Sequence, residues 1–296
     1  MRAFLALMRR EYLSHRSAFV YAPLILIAIL VIVLLTSLFT GHSRADYGLF
    51  TMISRNLFGG LYVAVAVLWW VYLLAALFFY CADTFNADRR NNAMLFWKSM
   101  PVSDFTVLAS KFIAGMTLFP ALIFVAMMAT GVIVGIASQF APMIMPIAAP
   151  PQIGPTASLW LQVTILAFCY MVTALLWYAP FFAWVGGLST IVGRWSIPLA
   201  LLVPVIFSLF EGVVDFGAAP GGSYVVSYLK WRLTFGFGTD NQKLATALLT
   251  DAPLDVGKLL SDVIATIDWP QLLGGLVVAA VLIWLASEYR RRTLKG

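Results

Sequence analysis

Histidine and cysteine are nearly absent, two of each in 296 residues, and only 11% of the chain is charged. His15 and His42 flank the first long apolar run, so neither a paired-histidine haem nor an H-E-x-x-H zinc site can be built within one chain. Cys81 and Cys169 fit no metal spacing, and a disulfide would have to join a charged segment to the inside of an apolar run. No G-x-x-x-x-G-K-[ST] run occurs, which removes the usual cradle for nucleotide phosphates. No formal charge lies between Asn56 and Ala82, nor between Phe112 and Gly193. These absences argue against a metalloenzyme, a redox protein or a self-sufficient ATPase.

What fills the chain instead is apolar. The sequence is 62% hydrophobic with a mean hydropathy of +0.92, far beyond the roughly 45–50% apolar and about 25% charged of soluble domains. An all-α integral membrane protein is expected. The net charge of +6 does not point to nucleic acid, because no basic cluster with interleaved aromatics stands clear of an apolar run. Four Lys or Arg precede Ser17, four lie between Ala82 and Phe112, one is Arg194 and four follow Tyr289, making 13 of the 19. The positive-inside rule places all four groups, and both termini, on the cytoplasmic side.

Six spans are expected within a single transmembrane domain covering 1–296. Span one is Phe19–Phe39 and span two Leu57–Tyr80. The uncharged stretch after Lys111 breaks at Pro142, Pro146, Pro150, Pro151 and Pro155, so spans three and four flank a proline-rich outer loop. Span four is Leu159–Gly187, span five Trp195–Phe216 and span six Trp269–Ser287. The uncharged run Ser17–Gly41 ends without an A-x-A site and is expected to remain as a span. Gly131-x-x-x-Gly135 in span three would allow close approach of another helix.

Before span one, residues 1–16 read as an interfacial amphipathic helix. Met1, Phe4, Leu5, Met8 and Tyr12 form its apolar stripe, with Arg2, Arg9 and Arg16 along the edge. A solvated basic lead-in is the alternative. Between spans five and six, the outer segment 217–268 carries Val256, Leu259, Leu260, Val263, Ile264 and Ile267 at i, i+3, i+4, i+7, i+8, i+11. That stripe reads as a lid over a permeation path or as packing on the outer end of the bundle. Glu211 and Asp215 are the only acids in the apolar spans of the second half, and they share one helix face. They are candidates for the substrate path, or carboxylates reaching water at the outer interface. Trp160, Trp177, Tyr178, Phe181, Phe182, Trp184 and Trp195 suit an interface belt, and would equally suit an amphiphilic cargo.

The charged segment 81–111 separates spans two and three and must lie outside the hydrocarbon, because its charges need water or partners. Asn86 through Ser99 holds no Gly or Pro and reads as a short helix stopped by Pro101. Ser103 reads as the N-cap of the next helix, with Asp104 in its first turn and Lys111 ahead of span three. The run Asp88-Arg89, then Leu95-Phe96-Trp97-Lys98-Ser99-Met100-Pro101-Val102-Ser103, then Lys111 resembles the first cytoplasmic loop of type-2 ABC transporter permeases. Arg9-Arg10-Glu11-Tyr12 followed by His15-Arg16, and the span count, extend that resemblance loosely over most of the chain. The family usually has Glu where Asp88 stands.

The resemblance implies that 81–111 is a cytoplasmic coupling loop, with Asp88, Arg89, Arg90, Met94, Phe96, Trp97 and Lys98 meeting a separate ATP-binding subunit. On that reading this chain holds no cofactor and catalyses nothing, ATP and Mg belong to the partner, and a second permease chain completes the path. It would be an exporter in a bacterial inner membrane, driven by alternating access. A non-transporting scaffold docking a soluble partner, and an intramembrane enzyme, are the alternatives. The same loop aromatics would also serve to hold the loop on the lipid surface.

Overall fold

The computed structural model describes residues 2–40, 57–90, 103–140, 153–214, 224–233 and 256–293. Every regular element among them is helical. Helix α1 (Arg2–Arg16) passes through a π-helical turn (Ser17–Tyr21) into α2 (Ala22–Thr40). Next come α3 (Leu57–Arg90), α4 (Asp104–Ile113), a second π-helical turn (Ala114–Leu118) and α5 (Phe119–Ser138). Helix α6 (Ile153–Val192) meets α7 (Ser196–Val214) through a short 3-10 turn (Gly193–Trp195). Helices α8 (Tyr224–Leu233), α9 (Val256–Thr266) and α10 (Trp269–Thr293) complete the order.

Among the described residues five stretches are long and apolar enough to cross a membrane: Phe4–Thr36, Phe58–Asp88, Asp104–Ser138, Ile153–Val192 and Trp269–Thr293. The apolar stretch Ser196–Glu211 is shorter. The chain is therefore an all-α, multi-pass membrane protein. Its outward residues are correspondingly greasy, with Leu24, Ile25, Ile32 and Val33 of α2 and Leu201, Phe207 and Leu209 of α7 all exposed. In a bilayer such side chains gain nothing by leaving lipid, so helix association rests on close packing and on polar pairs.

Helix α6 is the central post. Its 40 residues extend about 60 Å at 1.5 Å each, and it packs on α3, α5, α7, α9 and α10. Pro180 lies inside it without ending it, as buried membrane helices allow. Two polar contacts tie α3 to its neighbours: the Tyr62 and Thr164 hydroxyls lie 2.7 Å apart, and Trp69 Nε1 donates to Thr130 Oγ1 at 2.8 Å. Gly131 admits rings rather than a backbone, since a Cβ there would lie 2.3 Å from Tyr62 and 2.7 Å from Trp160 Nε1. Gly135 likewise faces Phe58.

Three boundaries differ from the sequence reading. The helix does not end with the expected second span at Tyr80: α3 runs on to Arg90, carrying Asn86–Arg90 with it, because no Gly or Pro interrupts it and its last turns find polar partners within the bundle. The N-terminal helix bends at His15 (φ −116°, ψ 15°) but continues into α2. Its inward face holds Leu7 and Glu11, whereas Leu5 of the expected stripe is 65% exposed. The segment 217–268 contains α8, for which the sequence reading has no element.

Candidate functional site

Where α3 finishes and α4 begins, four helices converge on a buried set of charges. Tyr80, Thr84 and Asp88 recur every four residues and so share one face of α3. Asp104 and Lys111 lie two turns apart on α4, whose start is set by Ser103: its Oγ accepts from Thr106 N at 3.2 Å. Arg10, Glu11 and His15 come from α1, and Arg290 comes from the last turns of α10.

Lys111 stands at the centre. Its Nζ donates to Thr84 O at 2.7 Å and lies 3.1 Å from Asp88 Oδ2 and 3.7 Å from Glu11 Oε1. Arg290 Nη1 reaches Asp88 Oδ2 at 3.3 Å, while its Nε lies 3.3 Å from Asp104 Oδ1, out of line for a hydrogen bond. Arg10 Nη1 approaches Asp88 Oδ1 at 3.5 Å from the exposed side. The remaining valence of Glu11 is met by Thr84 Oγ1 at 3.2 Å and Tyr80 Oη at 3.3 Å, and His15 Nε2 lies 3.7 Å away. The single Tyr80 hydroxyl proton is shared between that carboxylate and Lys111 O, which lies nearer at 2.9 Å. Among the described residues Glu11, Asp88 and Asp104 thus face Arg10, Lys111 and Arg290, three acids against three bases. Removing Asp88 or Lys111, both buried, would leave charge uncompensated inside the bundle, at a cost of about 3–5 kcal/mol.

Asp88, expected in the partner-binding set, is 2% exposed and has both carboxylate oxygens engaged within the chain. A carboxylate enclosed by four helices must be answered by cations, and Lys111, Arg290 and Arg10 answer it. Arg89 and Arg90 close the last turn of α3. Met94, Phe96, Trp97 and Lys98 lie outside the described residues. The sequence reading gave no inward role to Glu11 or Arg290. A lone acid within the basic N-terminal helix was the available signal for Glu11, whereas Arg290 was absorbed into the terminal basic run.

Beside the cluster an open groove of about 400 Å³ runs between α1 and α3, lined by His15, Phe19, Tyr72, Phe79, Tyr80 and Asp83. Among the described residues no group of three His, Cys, Asp or Glu is placed to hold a metal ion.

At the other end of the bundle, Glu211 has a local task. Its carboxylate accepts from Tyr224 N at 2.7 Å and Val225 N at 3.2 Å, capping the start of α8. Asp215 lies outside the described residues. On α9, Leu259 and Leu260 are half-buried and Ile264 is 55% exposed, while Ile267, just past its end, packs on Trp177 and Leu272. Val256 and Val263 lie on the same helix. Compared with known proteins, the chain matches no family model, no curated protein and no solved structure.

Proposed function

We propose that this chain is the membrane-spanning permease subunit of a type-2 ABC transporter, exporting an amphiphilic or hydrophobic cargo. One observation supports it above the others. Arg290 bridges Asp88 and Asp104, the residues on either side of the segment whose sequence resembles a coupling loop. A push on that segment would reach α3, α4 and α10 together, and through Lys111 and Glu11 also α1, which is what a transmission element requires.

The finer features follow from that reading. Counting α7 gives six spans; the charged end faces the cytoplasm with both termini, α1 lies at the interface, and the membrane is the bacterial inner one. A second permease chain completes the path, and ATP and Mg act on a separate subunit docked on Arg89, Arg90, Met94, Phe96, Trp97 and Lys98, with Phe96 and Trp97 as anchors in a groove of the partner. ATP binding there would draw the loops together and re-orient the spans.

The test is to co-express the chain with candidate ATP-binding subunits and follow which one co-purifies. Phe96→Ala and Arg89→Ala should leave the permease folded while weakening co-purification or uncoupling hydrolysis from cargo movement. Full docking and coupled transport in both variants would make the loop a lipid anchor and sink the proposal.

A further inference from the structure

A second buried charge lies far from the cluster. Arg232 of α8 is 2% exposed, with its guanidinium carbon 4.4 Å from the centre of the Trp177 ring. Nη1 donates to Gln271 O at 3.0 Å and Nη2 to Trp177 O at 3.1 Å. Nε has no hydrogen-bond partner, and no carboxylate pairs with this guanidinium among the described residues. Gly275 makes the room, because a Cβ there would lie 2.0 Å from Nη2. Gly275 stands six residues past Trp269 in α10, so the seat is roughly 9 Å into that span. The backbone at this end of α8 is gripped as well: Trp177 Nε1 donates to Arg232 O at 2.8 Å, and Tyr178 Oη to Leu233 O at 2.8 Å.

Helix α8 is therefore a strap. One end is capped by Glu211 of α7, and the other is seated in the seam between α6 and α10. The root of α7 is a turn at Gly193, whose φ of +60° suits glycine. Just beyond it, Ser196 Oγ donates to Ala82 O at 3.4 Å, on the helix that carries Asp88. A guanidinium answered only by neutral carbonyls and a ring keeps much of its desolvation cost. Its seated state is poised against withdrawal to water.

We propose that Arg232 is a releasable latch, and that α7 with α8 is an arm that opens the far end of the bundle when the guanidinium leaves its seat. The latch stands on this geometry; only its driving by ATP rests on the transporter reading.

The experiment uses the full chain in nanodiscs, with Cys81→Ala and Cys169→Ala, and follows maleimide labelling of Leu272→Cys, a position 3% exposed beside the seat. Gly275→Ala fills the seat and should raise labelling about tenfold or more, the ratio expected when a closed state loses its differential contact. Arg232→Met fills the seat without charge and should label no faster than the parent; ATP with the co-purified subunit should then fail to raise it. Unchanged labelling in Gly275→Ala would overturn the latch. So would a rise in Arg232→Met equal to that in Gly275→Ala, or a parallel rise at the control Ala114→Cys, which would signal a bundle loosened throughout. A parent that is insensitive to ATP, with Gly275→Ala still labelling faster, removes the transporter reading and supports the latch.

Discussion

The two ends of the bundle bury charge in opposite ways. At the charged end three carboxylates and three cations from α1, α3, α4 and α10 neutralise one another. At the far end Arg232 is enclosed with carbonyl oxygens and an indole ring. Breaking a balanced set by removing one member is costly, while a lone buried cation is already near the limit of what its surroundings compensate. The first arrangement suits a joint that must move as one piece. The second suits a contact that has to open.

That contrast is most severely tested by Asp88→Ala, which takes from Lys111 its nearest carboxylate and from Arg290 one of its two. It should lower unfolding stability by about 3–5 kcal/mol, read as a large drop in the thermal midpoint of the purified protein. A loss below about 1 kcal/mol would mean that water reaches the site and that the end is not rigidly joined. The next effect is a coupling. A double-mutant cycle of Asp88→Ala with Arg290→Met should show an interaction of about 0.5–3 kcal/mol, whereas Arg290→Met with Arg232→Met should be additive within about 0.5 kcal/mol. Strong coupling in the second pair would merge the two ends into one network. The smallest effect is expected from Glu211→Ala, which uncaps α8 in a more exposed setting and should cost about 0.5–2 kcal/mol in the same unfolding measurement.

How far the sequence spoke depended on the kind of signal. Long uncharged runs are a local property of the chain, and they revealed the membrane helices directly. The Ser103 cap and the first-turn Asp104 were equally local and stand as read. Helix ends were misjudged where a polar residue had a partner distant in sequence. Tyr80 looked like an end because charge followed it, yet Asp88 is matched by Arg290, 202 residues away. Glu211 and Asp215 stand out in the sequence as acids in an apolar run, but nothing local shows that Glu211 caps a helix 13 residues later. Arg232 passed unnoticed because its seat is a space left by Gly275, and an absent side chain on another helix leaves no periodic trace. The α9 stripe was legible as a helix, but periodicity alone could not tell which of its residues would be covered: Ile267 is, and Ile264 is not.

The paired π-helical turns carry a further consequence. Each closes i→i+5 bonds and so takes up one extra residue, which in an unbroken α-helix would rotate everything beyond it by about 100°. Phe19 of the first turn stacks on Phe119, the residue that follows the second, with ring centroids 3.9 Å apart. Before the turns Glu11 and Lys111 reach the charge cluster; beyond them α2 and α5 are apolar. In evolutionary terms, lengthening or shortening a membrane helix by one residue ordinarily scrambles every contact past that point. In this fold such an edit has two natural places to fall, where it would swap one regular helix type for another and leave the buried ions in register.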